Sequence, residues 1–114
     1  MPPPPVRLSI IGFGEIGQRH AELITANADC SLVGVCDVDP RCQPYADKFG
    51  VPVYKDVKEL LEREKPRGAI IATPNRQHVA IAELCAKHSI HVLIEKPIAD
   101  SMEGASRIVK AADD

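Results

Sequence analysis

A chain of 114 residues, 45% of them hydrophobic and 26% charged, has the length and composition of one globular domain. Its formal net charge of -2 gives no electrostatic footing for nucleic acid or for an anionic membrane surface. No apolar run approaches the roughly 20 residues that a membrane-spanning helix needs.

The opening Met1-Pro2-Pro3-Pro4-Pro5 has neither the basic nor the apolar segment of a signal peptide. It reads as an extended, proline-rich lead-in over residues 1–5, followed by a single domain over residues 6–114, and a cytoplasmic location is expected. Cys30, Cys36, Cys42 and Cys85 form no C-x-x-C pair, and His20, His78, His88 and His91 give no zinc-ligand spacing around them. The cysteines read as reduced structural thiols, and no metal site is expected.

Along the chain, short β-branched runs alternate with segments of helical period. The first strand is expected over residues 6–11 and ends in the glycine-rich "GFGEIG". A helix follows, with Ile16, His20, Leu23 and Ile24 on one face and His20 toward the core. Residues 32–36 form a second strand closed by Asp37. Asp39-Pro40 starts the next helix, the aspartate as cap and the proline in the first turn, and Gly50 ends it. Residues 51–54 make a short strand whose Pro52 suits a sheet edge. Asp56 caps a third helix with Val57, Leu60 and Leu61 inward, and Pro66 and Gly68 mark its exit.

The fourth strand is expected over residues 69–72. A helix from about 77 to 88 follows, with Val79, Ala82, Cys85 and Ala86 inward, and then a fifth strand over residues 91–94. Asp100 and Glu103 form a capping box for a last helix that buries Met102, Ala105, Val109 and Ala112. Strands and helices in strict alternation predict an α/β fold, a doubly wound parallel sheet of Rossmann type covered on both faces. The glycine-rich turn after the first strand favours the strand order 3-2-1-4-5.

The spacing of Gly12, Gly14 and Gly17 is that of a G-x-G-x-x-G fingerprint. The first glycine permits the tight turn, the second lets a pyrophosphate approach the backbone, and the third lets helix and sheet pack closely. Phe13, Glu15 and Ile16 complete this turn and the helix start, where amide N–H groups and the helix dipole favour a phosphate. Asp37 follows Gly17 by the roughly 20 residues expected of a ribose-binding carboxylate. Its charge opposes the 2′-phosphate of NADP and favours NAD. Arg41 stands close by in sequence; stacking on adenine, meeting a 2′-phosphate and plain solvation all remain open for it.

Three motifs then stand in order: "GFGEIG", "ATPNRQH" at 72–78 and "EKPIAD" at 95–100. In this order the chain resembles the N-terminal dinucleotide-binding domain of the Gfo/Idh/MocA oxidoreductases, named for glucose–fructose oxidoreductase and inositol dehydrogenase. The resemblance implies that Thr73, Pro74 and Asn75 flank the pyrophosphate and nicotinamide ribose, and that His78, a candidate catalytic residue, lies near the nicotinamide. It also implies that Glu95 and Lys96 are the family's E-K-P element, with Lys96 at the junction of nicotinamide and substrate. A partly desolvated lysine suits that task, because burial lowers its pKa toward neutrality. Judged on spacing alone, Lys96 is a solvated strand-end lysine and His78 a surface histidine at a helix start.

Members of the family generally continue with a sixth strand and a larger C-terminal domain holding the substrate pocket, which this sequence does not contain. The expectation is therefore a cofactor-binding domain of an NAD(P)-dependent oxidoreductase acting on a sugar, inositol or related polyol. The chain alone should bind a dinucleotide without turning over substrate, and the apolar strand at 90–95 should offer an edge for self-association. Two alternatives stand beside it. One is a non-catalytic NAD-binding sensor or regulatory module. The other is a methyltransferase-like domain for S-adenosylmethionine, against which the sheet and the "EKP" element speak.

Overall fold

A computed structural model of the chain describes residues 4–94. Five strands form one sheet: β1 (Val6–Ile11), β2 (Cys30–Cys36), β3 (Val53–Tyr54), β4 (Gly68–Ile71) and β5 (His91–Ile94). All pair in parallel, in the order β3-β2-β1-β4-β5, which is the expected one. The helices are α1 (Glu15–Thr25), α2 (Gln43–Phe49), α3 (Val57–Glu64) and α4 (His78–Lys87).

Period-two alternation along the strands divides the core between the two sheet faces. Ile10, Val35 and Ile70 join Phe13, Ala21 and Ala46 on the side of α1 and α2. Ile11, Cys36 and Ile71 join Leu60, Leu61 and Cys85 on the side of α3 and α4. The register fixes where a ligand can bind. Ile11 lies opposite both Cys36 and Ile71, Cys36 opposite Tyr54, and Ile71 opposite Ile94. The five strands are thus level at Ile11, Cys36, Tyr54, Ile71 and Ile94, and the loops that follow β1 to β4 emerge along one edge.

The buried face of α1 keeps Ile24 of the expected residues and corrects the others. Gly17, Ala21 and Ile24 face the sheet, whereas Ile16 and Leu23 are 55% and 64% exposed and His20 is half-buried. The smallest residues decide the contact, because they let the helix backbone come closest to the strands. In α4 the buried residues are His78, Ile81, Ala82 and Cys85, with Val79 and Ala86 at the margin. Asp39 caps as expected, accepting from the Arg41 N–H at 2.9 Å, but the first turn is a 3-10 turn over Pro40–Cys42. Gly50 ends α2 with φ +67°. The Asp56 side chain makes no capping bond.

Strand boundaries differ from the expected ones: β2 begins earlier, at Cys30, β3 shortens to Val53–Tyr54, and β4 runs from Gly68 to Ile71, which leaves Ala72 to the following loop. The last helix expected after Asp100 lies outside the described residues. No helix among the described residues is long and apolar enough to cross a membrane.

Ser9, fully buried in β1, has a hydroxyl with no hydrogen-bond partner among the described residues. An unsatisfied buried hydroxyl carries its desolvation cost without return. Ser9→Ala should therefore stabilise the fold by about 1 kcal/mol, raising the melting temperature by roughly 4 °C. A thermal melt checks this, and a fall of similar size would show that the hydroxyl is satisfied.

Candidate functional site

At the end of β1 the chain turns through Gly12, whose φ of +97° suits glycine. A Cβ there would meet the backbone of the loop after β4, 2.7 Å from the Ala72 carbonyl carbon and 2.8 Å from the Thr73 nitrogen. A Cβ on Gly17 would fall on the carbonyl oxygen of Gly12. Gly14 differs, since a Cβ there has nothing within 4 Å. Two glycines are thus required by packing, and the third leaves open space.

Gly14 is also the N-cap of α1 and supplies no side chain to it, so the first helical N–H groups are not capped by a side chain. Such an end attracts an anion through its amide donors and its dipole. Phe13, Glu15 and Ile16 contribute backbone only. The Phe13 ring is buried edge-to-face against Phe49, with centroids 6.1 Å apart, while the Glu15 and Ile16 side chains face solvent.

Asp37 is fixed by three backbone bonds. Its Oδ2 accepts the Phe13 N–H at 2.8 Å and its Oδ1 the Asp39 N–H at 2.9 Å. Its own N–H donates to the Tyr54 carbonyl at 3.0 Å. The carboxylate is therefore locked in place by neutral donors, and each oxygen keeps acceptor capacity for a ligand hydroxyl.

Across the cleft, Thr73 and Pro74 form the facing wall, and Asn75 opens a 3-10 turn that leads into α4. The Thr73 hydroxyl is buried and has no partner among the described residues. Beneath the loop, the His78 Nε2–H donates to the Thr73 carbonyl at 2.8 Å. The His78 ring is 1% exposed, so it is a buried anchor of this loop rather than a surface histidine at a helix start.

These walls enclose a cleft of about 390 Å³. Gly12, Gly14, Asp37, Thr73 and Pro74 line it, together with Val38, Lys55, Val57, Gln77 and Ile81, which sequence reasoning missed. Val38 carried a faint signal as an apolar residue directly after the carboxylate, and it is 75% exposed. Arg41 is not in the lining. Its guanidinium is held by Asp39, with Nη2 to Oδ2 at 2.7 Å and Nε to both oxygens at 3.0 and 3.1 Å, and this bonding holds the Asp39 carboxyl below its ordinary range. Of the readings open for Arg41, the structure shows the residue engaged by Asp39 and outside the cleft lining. Cys36, on the cleft floor, has its thiol pushed up to about 12, first by burial and then by the charge of Asp37, so it remains neutral. Glu95 and Lys96 lie outside the described residues.

The bare helix end, the open space at Gly14, the anchored carboxylate and the unpartnered Thr73 hydroxyl fit one kind of ligand. They match, in order, a pyrophosphate, its close approach, a ribose diol and a further ligand oxygen. The fold and site define a dinucleotide-binding Rossmann domain.

Residues 6–114 match the model of the Gfo/Idh/MocA oxidoreductase family, described as an NAD-binding Rossmann fold, and the chain belongs to that family. It is 35% identical over 109 residues to glucose-6-phosphate 3-dehydrogenase of Bacillus subtilis, covering 94% of this chain and 30% of the relative. It is 32% identical over 108 residues to inositol 2-dehydrogenase of Rubrobacter xylanophilus, covering 93% and 31%. Among solved structures it superposes on the WlbA dehydrogenase from Bordetella pertussis in complex with NADH and UDP-GlcNAcA. That match has a TM-score of 0.91 and 30% identity, over 96% of this chain and 34% of the other. The chain thus spans about a third of the length of the relatives it matches.

The glycines give opposite predictions. Gly14→Ala should melt within about 1 kcal/mol of the unsubstituted chain and lose NADH affinity by at least about tenfold. Gly17→Ala should lose roughly 3 kcal/mol or more of stability, because its methyl group meets a backbone carbonyl. Melts and calorimetric titrations of both variants separate the two roles.

Proposed function

We propose that this domain forms the cofactor wall of an oxidoreductase that moves a hydride between a nicotinamide and the alcohol carbon of a sugar, inositol or related polyol. The observation that carries this reading is the convergence at one sheet edge of the glycine turn, Asp37 and the Thr73–Pro74 loop. Membership of the family and the sugar and inositol dehydrogenases among the relatives support the substrate class.

The amides at the start of α1 bind the pyrophosphate, and Asp37 binds the adenosine ribose diol and favours NAD over NADP. Thr73, Pro74 and Asn75 flank the nicotinamide half, with His78 setting the loop from below, a role supported by its burial. Bound NAD supplies the hydride acceptor. Lys96, with Glu95 beside it, serves the substrate oxygen, where an ammonium stabilises developing charge and exchanges the hydroxyl proton. The support is positional: Lys96 comes two residues after Ile94, which pairs with Ile71 just before the cleft loop.

The chain by itself is proposed to bind without turnover. The described residues form one wall, and hydride transfer needs the nicotinamide screened from water and the substrate oriented. A cytoplasmic location is proposed with it, supported by four thiols in no disulfide. Self-association through β5 is also part of the proposal. That strand pairs only with β4 among the described residues, and its Leu93 is 57% exposed.

Calorimetric titration of the chain with NADH should show saturable binding, tighter than for NADPH. Lys96→Ala should leave NADH affinity within about threefold, because that residue serves the substrate. Absence of NADH binding would contradict the reading, and a loss above about tenfold in Lys96→Ala would place that lysine on the cofactor instead.

A further inference from the structure

Among the described residues, Asp37 and Lys55 are the only charged side chains in the lining of the cleft, and the function proposed above uses only the first. Lys55 follows Tyr54, the last residue of β3. Tyr54 lies opposite Cys36 in the register, and its carbonyl accepts the Asp37 N–H at 3.0 Å. The chain therefore delivers Lys55 beside Asp37, on the flank away from the glycine turn, which is the outer side of a ribose held by Asp37 as proposed above.

The departure point is well defined. The Tyr54 hydroxyl donates to Glu64 Oε2 at 2.5 Å, fixing the strand end from which Lys55 leaves. Lys55 is exposed and has no ion-pair partner among the described residues. Nearby cations are already engaged: Arg41 by Asp39, Lys58 by Glu62, Arg63 by Glu59 and Arg7 by Glu64.

Asp37 poses the electrostatic problem that Lys55 is placed to answer. Both its oxygens are tied to backbone amides, so the carboxylate cannot swing aside for a second anion. A 2′-phosphate, carrying a charge of about −1.5 to −2, would meet that fixed charge with no compensation from Arg41. From this placement we infer that Lys55 is a specificity-determining residue for the cofactor. Its ammonium binds the 2′-phosphate of NADP(H), so the site accepts NADPH as a weaker second cofactor while Asp37 keeps NADH preferred. The inference rests on the dinucleotide reading of the cleft and adds to it the control of cofactor choice.

The test compares the affinity of the chain for NADH and NADPH by calorimetry, with Lys55→Ala, Lys55→Glu and Arg41→Ala variants. Lys55 is solvent-exposed, so substitution should leave the fold intact. NADPH binding should weaken about tenfold in Lys55→Ala and further in Lys55→Glu, while NADH changes by about twofold or less. Arg41→Ala should leave both unchanged. Parallel loss of both cofactors, no change in NADPH, a selective loss in Arg41→Ala, or no NADPH binding by the unsubstituted chain would each overturn the inference. Failure of NADH to bind the unsubstituted chain would instead strike the dinucleotide reading itself.

Discussion

Helix α1 meets the glycine turn backbone to backbone, with Gly17 seated against the carbonyl of Gly12, and the geometry of the cleft follows from that contact. Because no side chain separates helix from turn, the amino end of α1 is aimed at the space in front of Gly14. Gly12 is constrained from the opposite side as well, where the backbone of Ala72 and Thr73 leaves no room for a Cβ. One close approach therefore ties the first strand, the first helix and the loop after the fourth strand into a single rigid cradle.

Around that cradle, parallel pairing does the rest. Level strand ends bring Asp37 within hydrogen-bonding distance of the Phe13 amide, so one backbone donor joins the glycine turn to the carboxylate proposed to bind ribose. His78 does the same for the opposite wall by holding the Thr73 carbonyl. Among the described residues of this region, the Thr73 hydroxyl is the buried side-chain group without a partner. A buried hydroxyl at a cleft wall is costly alone and useful when a ligand oxygen arrives. Among the described residues the site is thus preorganised in its backbone and open where a cofactor would lie.

The glycine turn and the cap at Asp39 were legible in the sequence because each depends on residues close together in the chain. The strand order and the place of Asp37 were legible because strands and helices alternate and the carboxylate closes the second strand. The contact face of α1 was not. Hydrophobic periodicity selects the largest apolar residues, Ile16 and Leu23, whereas the sheet accepts Gly17 and Ala21, the smallest. Val38, Lys55, Val57 and Gln77 were missed because only strand register gathers them around one cleft. Arg41 lies outside the cleft lining because a side chain so close to its own cap, Asp39, is captured there. His78 carried a motif but no sign of its depth, which comes from α4 packing against the sheet. The family resemblance supplied the order of the motifs, and family membership over residues 6–114 agrees with it.

The most direct test of the cradle as a dinucleotide site is an amide chemical-shift titration of the chain with NADH. Saturable shifts should be concentrated at Gly14, Glu15, Ile16, Asp37 and Thr73, around the carboxyl ends of the strands. The amides of Arg67, Ser89 and His91, at the opposite end of the sheet, should stay still. Largest shifts at that opposite end, or none anywhere at saturating NADH, would contradict the assignment.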